Sequence, residues 1–127
     1  MEERSPFGFE DLAVYRKARE LRGKAYALAG RLPDCEKYGL AQQLRRAAVS
    51  VTNNIAEGHG RYSWQDNTKF CRTSRGSVCE IVDDLNTSED RNYADKPSLD
   101  EIRKVAAETM KLLNGYITYL QKQKTGD

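Results

Sequence analysis

The chain has 127 residues, of which 39% are hydrophobic and 31% are charged, and its formal net charge is +2. That length suits a single domain with one core, and so small a net charge excludes the strong positive field of an obligate nucleic-acid binder. Three cysteines, an odd number without a C-x-x-C pair, indicate neither a disulfide framework nor a zinc site.

Prolines, glycines and asparagines divide the chain into four segments with helical periodicity. The breaks fall at Pro33, at the glycines of residues 58–60 and between residues 92 and 97. Short connections between long helices favour antiparallel neighbours. The sequence therefore predicts an all-α fold, an antiparallel up-down-up-down four-helix bundle in one domain over residues 1–127. The predicted helices cover about residues 10–32, 36–57, 63–91 and 98–122.

The first two predicted helices have apolar residues alternately four and three positions apart, between residues 14 and 32 and between residues 40 and 51. This spacing is typical of a helix packed nearly parallel to its neighbours. In the second helix Asn54 lies where the pattern calls for an apolar residue. Gly58 is expected to cap the end of that helix.

The last two predicted helices have recognisable starts. The Ser63 side chain can cap the amide of Asp66 at the start of the third helix. The centre of this helix is small and polar where a core should be apolar. The fourth helix is expected to open with a capping box formed by Ser98 and Glu101.

Polar residues on the facing sides of the second and third helices allow two interpretations. As a structural network they would fix the helix register, with Arg46 or Arg75 as counter-ion. On this preferred interpretation, Glu57→Ala would lower the free energy of unfolding by about 1–3 kcal/mol, because donors would lose their partner. As a ligand or catalytic pocket, the group would use its carboxylates. Its members are Ser50, Asn54, Glu57, Ser77 and Glu80.

The spacing of reactive residues argues against an enzyme. A di-iron bundle needs Glu-x-x-His pairs on two helices, but His59 is the one histidine. A serine triad would lack a nucleophile elbow. The segment Gly58-x-Gly60 is too short to form a glycine-rich phosphate-binding loop. We therefore expect no catalytic residues, no metal, no cofactor and no small-molecule substrate. Without a signal peptide's apolar core or a transmembrane run, we expect a cytoplasmic protein with no membrane partner.

Basic residues are concentrated near the turn between the second and third helices, with Tyr62 and Trp64 close by. Cations mixed with aromatic rings are what phosphate contact and base stacking require. The alternative, which the small net charge favours, is that they are solvated charges paired with nearby acids. Candidate contacts to RNA or single-stranded DNA are Arg45, Arg46, Arg61, Lys69, Arg72 and Arg75.

The fourth helix has apolar residues outside its main stripe. Unless the first and third helices cover them, they leave an apolar strip exposed, and such strips usually mark interfaces. We therefore expect a homo-oligomer. The candidate interface residues are Val105, Met110, Leu112, Ile117 and Tyr119.

Several segments resemble one family, the four-helix-bundle proteins encoded in intervening sequences of bacterial 23S ribosomal RNA genes. The most specific segment is Asn54-Ile55-Ala56-Glu57-Gly58 with Arg61 after the turn. The other segments are Phe9-x-x-Leu12-x-Val14-Tyr15 with Ala18, Pro33-x-x-Glu36-x-Tyr38-Gly39-Leu40, Gln43 to Ser50, and Gly76-Ser77-x-x-Glu80. The chain departs from the family pattern at Thr52, where many relatives have proline, and over residues 86–96, which are more polar.

The resemblance implies a four-helix bundle, often a ring of five subunits, without established enzymatic activity. Relatives acting beside reverse transcriptases in diversity-generating retroelements imply nucleic-acid and protein partners. Together with the residues above, it predicts a non-enzymatic homo-oligomer, with a pentamer favoured, that serves as an interaction scaffold. The alternative is a nucleic-acid-binding accessory protein.

Overall fold

The structure, a computed structural model, describes the backbone of residues 5–125 and side chains through residue 123. Within this range the chain forms four α-helices, two short 3-10 helices and no strand. The α-helices are α1 (Ala13–Ala29), α2 (Leu40–His59), α3 (Trp64–Asp90) and α4 (Lys96–Thr125). The prediction of an all-α protein with four helices is confirmed.

The first two helices start later than predicted because each follows a 3-10 turn. Gly8–Asp11 forms the first of these turns, and Leu12 is then extended, with φ −71° and ψ 133°. Asp34–Glu36 forms the second, and Gly39 leaves the helical region before α2 begins. A periodic pattern does not distinguish such turns from the helix that follows them.

Of the two caps predicted at helix starts, one is present in the structure and the other is not. Ser63 Oγ accepts hydrogen bonds from the amides of Gln65 and Asp66, as predicted. The capping box at Ser98 and Glu101 was wrong. The fourth helix begins two residues earlier, and the amide of Leu99 already donates to the carbonyl of Asp95 in the helical pattern.

Gly58 lies inside α2 and does not cap it, because the helix continues to His59. Its φ is not positive, so the left-handed geometry of a glycine cap is absent at this residue. A methyl group at this position would lie 2.6 Å from Oδ1 of Asn67 and 3.0 Å from Cβ of Phe70. Glycine is required here because α2 and α3 approach each other closely.

All four helices contribute to one hydrophobic core. The periodic apolar residues predicted from the sequence make up most of it. Its largest fully buried aliphatic side chains are Leu21, Leu28, Leu44, Val51, Ile55, Val78, Ile81, Leu85, Leu99, Leu113 and Leu120.

Helices that follow each other in sequence pack side by side, and α1 also packs against α4. Contacts between α2 and α3 run in opposite order along the two helices. Ser50 meets Ser77, whereas Gly58, later in α2, meets Asn67, earlier in α3. Among the described residues, none of the helices combines the length and apolar character needed to cross a membrane.

Candidate functional site

A small polar contact joins α2 and α3 at mid-height. The hydroxyl oxygens of Ser50 and Ser77 are 2.8 Å apart, and Asn54 Nδ2 donates to both the carbonyl and the hydroxyl of Ser50. Ser74 is fully buried and donates to the carbonyl of Val51 at 2.8 Å. Three of the predicted network residues are therefore in contact, and Ser74 extends the contact. The small polar centre of the third helix was the signal for it.

Glu57 and Glu80 lie outside this contact. The Glu57 side chain is 53% exposed and pairs with Arg61 one turn later, at 2.8 Å. Glu80 is also exposed and lies beside Gln43 and Arg46, about three turns earlier along α2. Their inclusion in one network was wrong, because carboxylates remain hydrated where a solvent-facing position allows it. An exposed pair at this spacing contributes only about 0.3–0.5 kcal/mol, so the expected loss for Glu57→Ala was too large.

The six predicted nucleic-acid contacts do not share one face. The Arg45 guanidinium lies 5.9 Å from the ring centroid of Tyr26 on α1, whereas Arg75 donates to Asn114 on α4. These two arginines therefore lie on opposite flanks of the α2/α3 pair, and Arg75 is not a counter-ion of the polar network. Arg61 lies at the α2–α3 turn, over the ring of Phe70. Exposed on the surface are Arg46, Lys69 and Arg72.

Aromatic side chains gather at the same end of the bundle as Arg61. The rings of Tyr116 and Tyr119 stack with centroids 6.2 Å apart, and Trp64 meets Tyr119 edge-on at 6.4 Å. Tyr62 is fully exposed. We call Tyr62, Trp64, Tyr116 and Tyr119 the aromatic end. They line one concave surface together with Leu12, His59, Arg61, Ser63 and Asn67.

Neutral hydrogen bonds support the aromatic end from below. Asn67 Nδ2 donates to the Tyr116 hydroxyl at 3.1 Å, and the Cys71 thiol donates to Asn67 Oδ1 at 3.5 Å. Burial raises the pKa of Cys71 to about 11 and also raises the pKa of Tyr116. Both groups are therefore protonated near neutral pH, which suits apolar contact and stacking.

The predicted interface residues of α4 divide into two groups. Val105 and Ile117 are only 5% exposed, so their assignment to an exposed strip was wrong. Their burial follows from the position of α4, which packs against both α1 and α3 and so covers more than one stripe. Met110 and Leu112 are half-buried, and Tyr119 is exposed.

A shallow groove separates α1 from α4 near Leu112. It shares Leu12 and Tyr116 with the concave surface of the aromatic end. The two surfaces are therefore continuous. We call the groove near Leu112 the α1/α4 groove. Its lining residues are Leu12, Ala13, Val14, Lys111, Leu112, Gly115 and Tyr116.

A second concavity lies between α2 and α3, away from the aromatic end. We call it the acidic pocket; its lining residues are Gln43, Arg46, Glu80, Asp83 and Asp84. Asp84 is only 7% exposed. Burial, and then the charges of Asp83 and Glu80, raise the pKa of Asp84 to about 6. Sequence reasoning missed Asp84, because an aspartate on a helix is ordinarily assigned to the solvated face.

The four packed helices and the hydroxyl contact between α2 and α3 define the class, a small all-α bundle protein. The chain belongs to the 23S rRNA-intervening sequence protein family, whose sequence model matches residues 10–115. The matched range runs from before α1 to within α4, and it confirms the resemblance found in the sequence. Comparison with curated proteins gives no match.

Proposed function

We propose that this protein is a non-enzymatic cytoplasmic homo-oligomer, with a ring of five subunits favoured, that acts as an interaction scaffold. The observation that carries the proposal is the continuous surface formed by the aromatic end and the α1/α4 groove. Solvated apolar surface that is continuous over several elements usually marks a protein interface. The family to which the chain belongs has no established enzymatic activity, which supports the absence of catalysis.

We also infer that the bundle is antiparallel, with up-down-up-down topology. The order of the contacts supports this inference. Lys17 pairs with Glu108, whereas Lys24, later in α1, pairs with Glu101, earlier in α4. The contacts between α3 and α4 run in opposite order as well. Asn67 bonds Tyr116, whereas Glu89, later in α3, pairs with Arg103, earlier in α4.

The side chains of that surface support a second copy of this chain as its occupant. Tyrosine and tryptophan offer broad contact area and a polar group at little entropic cost, as self-association requires. A ring needs each subunit to present two different patches, since a patch that paired with itself would close a dimer. The choice of a ring over a dimer comes from the family resemblance.

Gly115→Glu is expected to break the oligomer without harming the fold. Gly115 lines the α1/α4 groove, and a Cβ atom added there meets nothing within 4 Å in the isolated subunit. Glutamate is also a better helix former than glycine by about 0.5–1 kcal/mol. Light scattering at micromolar concentration is expected to give about five chains for the wild type and one for the variant.

Gly23→Glu is the matched control. Gly23 is a helical glycine with equally open surroundings, on α1 and outside the groove. It is expected to keep the wild-type mass. A wild-type mass of one chain would overturn the oligomer, and a mass of two chains would overturn the ring alone.

A specific observation also favours the alternative, a nucleic-acid-binding accessory function. The exposed rings of Tyr62 and Trp64 lie on the same concave surface as Arg61. Stacking on such rings is worth about 1–3 kcal/mol per base and tolerates any sequence, while arginine contacts phosphate. On this hypothesis, the contact surface is the end of the bundle and not the faces of α2 and α3.

Tyr62→Ser is expected to weaken binding of RNA or single-stranded DNA about fivefold or more, because one stacking ring is lost. Fluorescence anisotropy with a labelled oligonucleotide at low salt measures the change. The control is Tyr38→Ser, since Tyr38 is 82% exposed and precedes α2 at its other end. Equal weakening by both variants, or no binding by the wild type, would contradict the alternative.

A further inference from the structure

The acidic pocket has carboxylates from one side of α3 and polar groups from α2. Glu80, Asp83 and Asp84 are spaced three and four residues apart, so they project from the same face of the helix. Gln43 and Arg46 complete the lining from α2. This pocket is separate from the surface assigned above to self-association, and the inference drawn from it does not depend on that function.

The feature that points to a ligand is the state of Asp84. Asp84 as a whole residue is more than nine-tenths buried, and it lines the open pocket. Among the described residues, its carboxylate accepts no hydrogen bond and forms no ion pair. No fully buried side-chain oxygen or nitrogen of the described residues lacks a hydrogen-bond partner, so the unbonded oxygens of Asp84 reach the solvent of the pocket. Structural carboxylates are normally paired, and a carboxylate without a protein partner in so buried a residue is costly. The pocket therefore has an unused acceptor at its base, in reach of a cation that enters from solvent.

The spread of the carboxylates selects the class of cation. No three His, Cys, Asp or Glu side chains in the described part of the chain are close enough to hold a metal ion. Carboxylates distributed along a helix face suit several N–H donors distributed along a flexible chain. We propose that the acidic pocket binds a linear polyamine, with one ammonium group donating to Asp84 and another lying against Glu80 and Asp83.

Arg46 sets the affinity of this site. It lines the same pocket but forms no ion pair with the three acids within residues 5–123. Its positive charge repels an incoming ammonium group and lowers the net negative charge of the site. Gln43 is neutral, and its amide oxygen can accept a further N–H. Arg46→Gln should therefore strengthen binding, whereas loss of the Asp84 charge should weaken it.

The test uses the full chain, with spermidine as the probe, in isothermal titration calorimetry at neutral pH and about 0.15 M salt. The wild type is expected to bind one spermidine per chain. Asp84→Asn is expected to weaken binding about tenfold or more, because a charge-assisted hydrogen bond is lost. Arg46→Gln is expected to tighten it severalfold. Asp90→Asn, an exposed change on α3 outside the pocket, should leave the affinity unchanged.

Circular dichroism of each variant separates a lost site from a lost fold. Equal weakening in Asp84→Asn and Asp90→Asn would mean that spermidine acts as a diffuse counter-ion, and the proposal would be overturned. Tighter binding of Mg²⁺ than of spermidine at matched ionic strength would also overturn it, in favour of a metal site. Absence of saturable binding to the wild type would do the same.

Discussion

Replacing Gly58 with alanine is expected to lower the free energy of unfolding by about 2 kcal/mol. The added methyl group would lie 2.6 Å from Asn67 Oδ1 and 3.1 Å from the Asn67 carbonyl oxygen. Neither atom can move freely, because Asn67 is buried and its side chain bonds Tyr116 and Cys71. The helices must therefore separate, which disturbs the support of the aromatic end. Urea unfolding followed by circular dichroism measures the loss.

Gly76→Ala is the matched control for this prediction. Gly76 is a glycine inside α3, and an added methyl group there has nothing within 4 Å. Alanine at such a position is expected to raise the free energy of unfolding by about 0.5–1 kcal/mol, through helix propensity alone. If both variants gained stability, the close approach of α2 and α3 at Gly58 would not constrain the fold.

Gly58 illustrates what the sequence could not provide. The helical periodicity of α2 was readable, because the positions of its buried residues depend on the turn of one helix. The role of Gly58 depends instead on the distance between two helices, which no pattern within one helix contains. The sequence therefore indicated a cap, the commonest use of glycine near a helix end.

The polar contact between α2 and α3 was likewise predictable only in part. Ser50 and Asn54 are one turn apart on α2, and the turn between the helices brings Ser77 opposite them. Whether a carboxylate near that stripe turns inward depends on the solvent available to it. The Glu57 carboxylate remains at the surface, where it forms an ion pair with Arg61. Stripe membership predicted the hydroxyl and amide contacts correctly and the carboxylates incorrectly.

The fraction of the α4 surface that its neighbours cover was the other feature that the sequence did not determine. A bundle helix usually buries one apolar stripe, and the strip of α4 was predicted on that basis, with coverage by the first and third helices as the alternative. With α1 on one side and α3 on the other, Val105 and Ile117 are covered, while Tyr119 remains exposed. The number of neighbours is a property of the assembled bundle, so it could be anticipated from the four-helix fold but not assigned to individual residues.

Asp84→Asn is expected to raise the free energy of unfolding by about 1–3 kcal/mol at neutral pH. In the folded protein the pKa of Asp84 is about 6, against an ordinary value of 3.8. As the pH rises from about 4 to 6, the unfolded chain releases its proton while the folded chain retains it. The contribution of Asp84 to the stability of the wild type therefore falls over this window, and the loss persists at higher pH. Asparagine resembles the protonated acid and carries no such loss.

The expected result is a difference that depends on pH. Wild type and Asp84→Asn should have similar stability near pH 4 and should diverge as the pH rises through about 6, with the variant more stable. Urea unfolding across this range measures the difference, which isolates Asp84 because Glu36 and Asp100 titrate identically in both proteins. Asp90→Asn, at the exposed end of α3, should follow the wild-type curve. A variant no more stable than the wild type at neutral pH would show that the Asp84 carboxylate is already compensated, which would remove the physical basis for an unused acceptor in the acidic pocket.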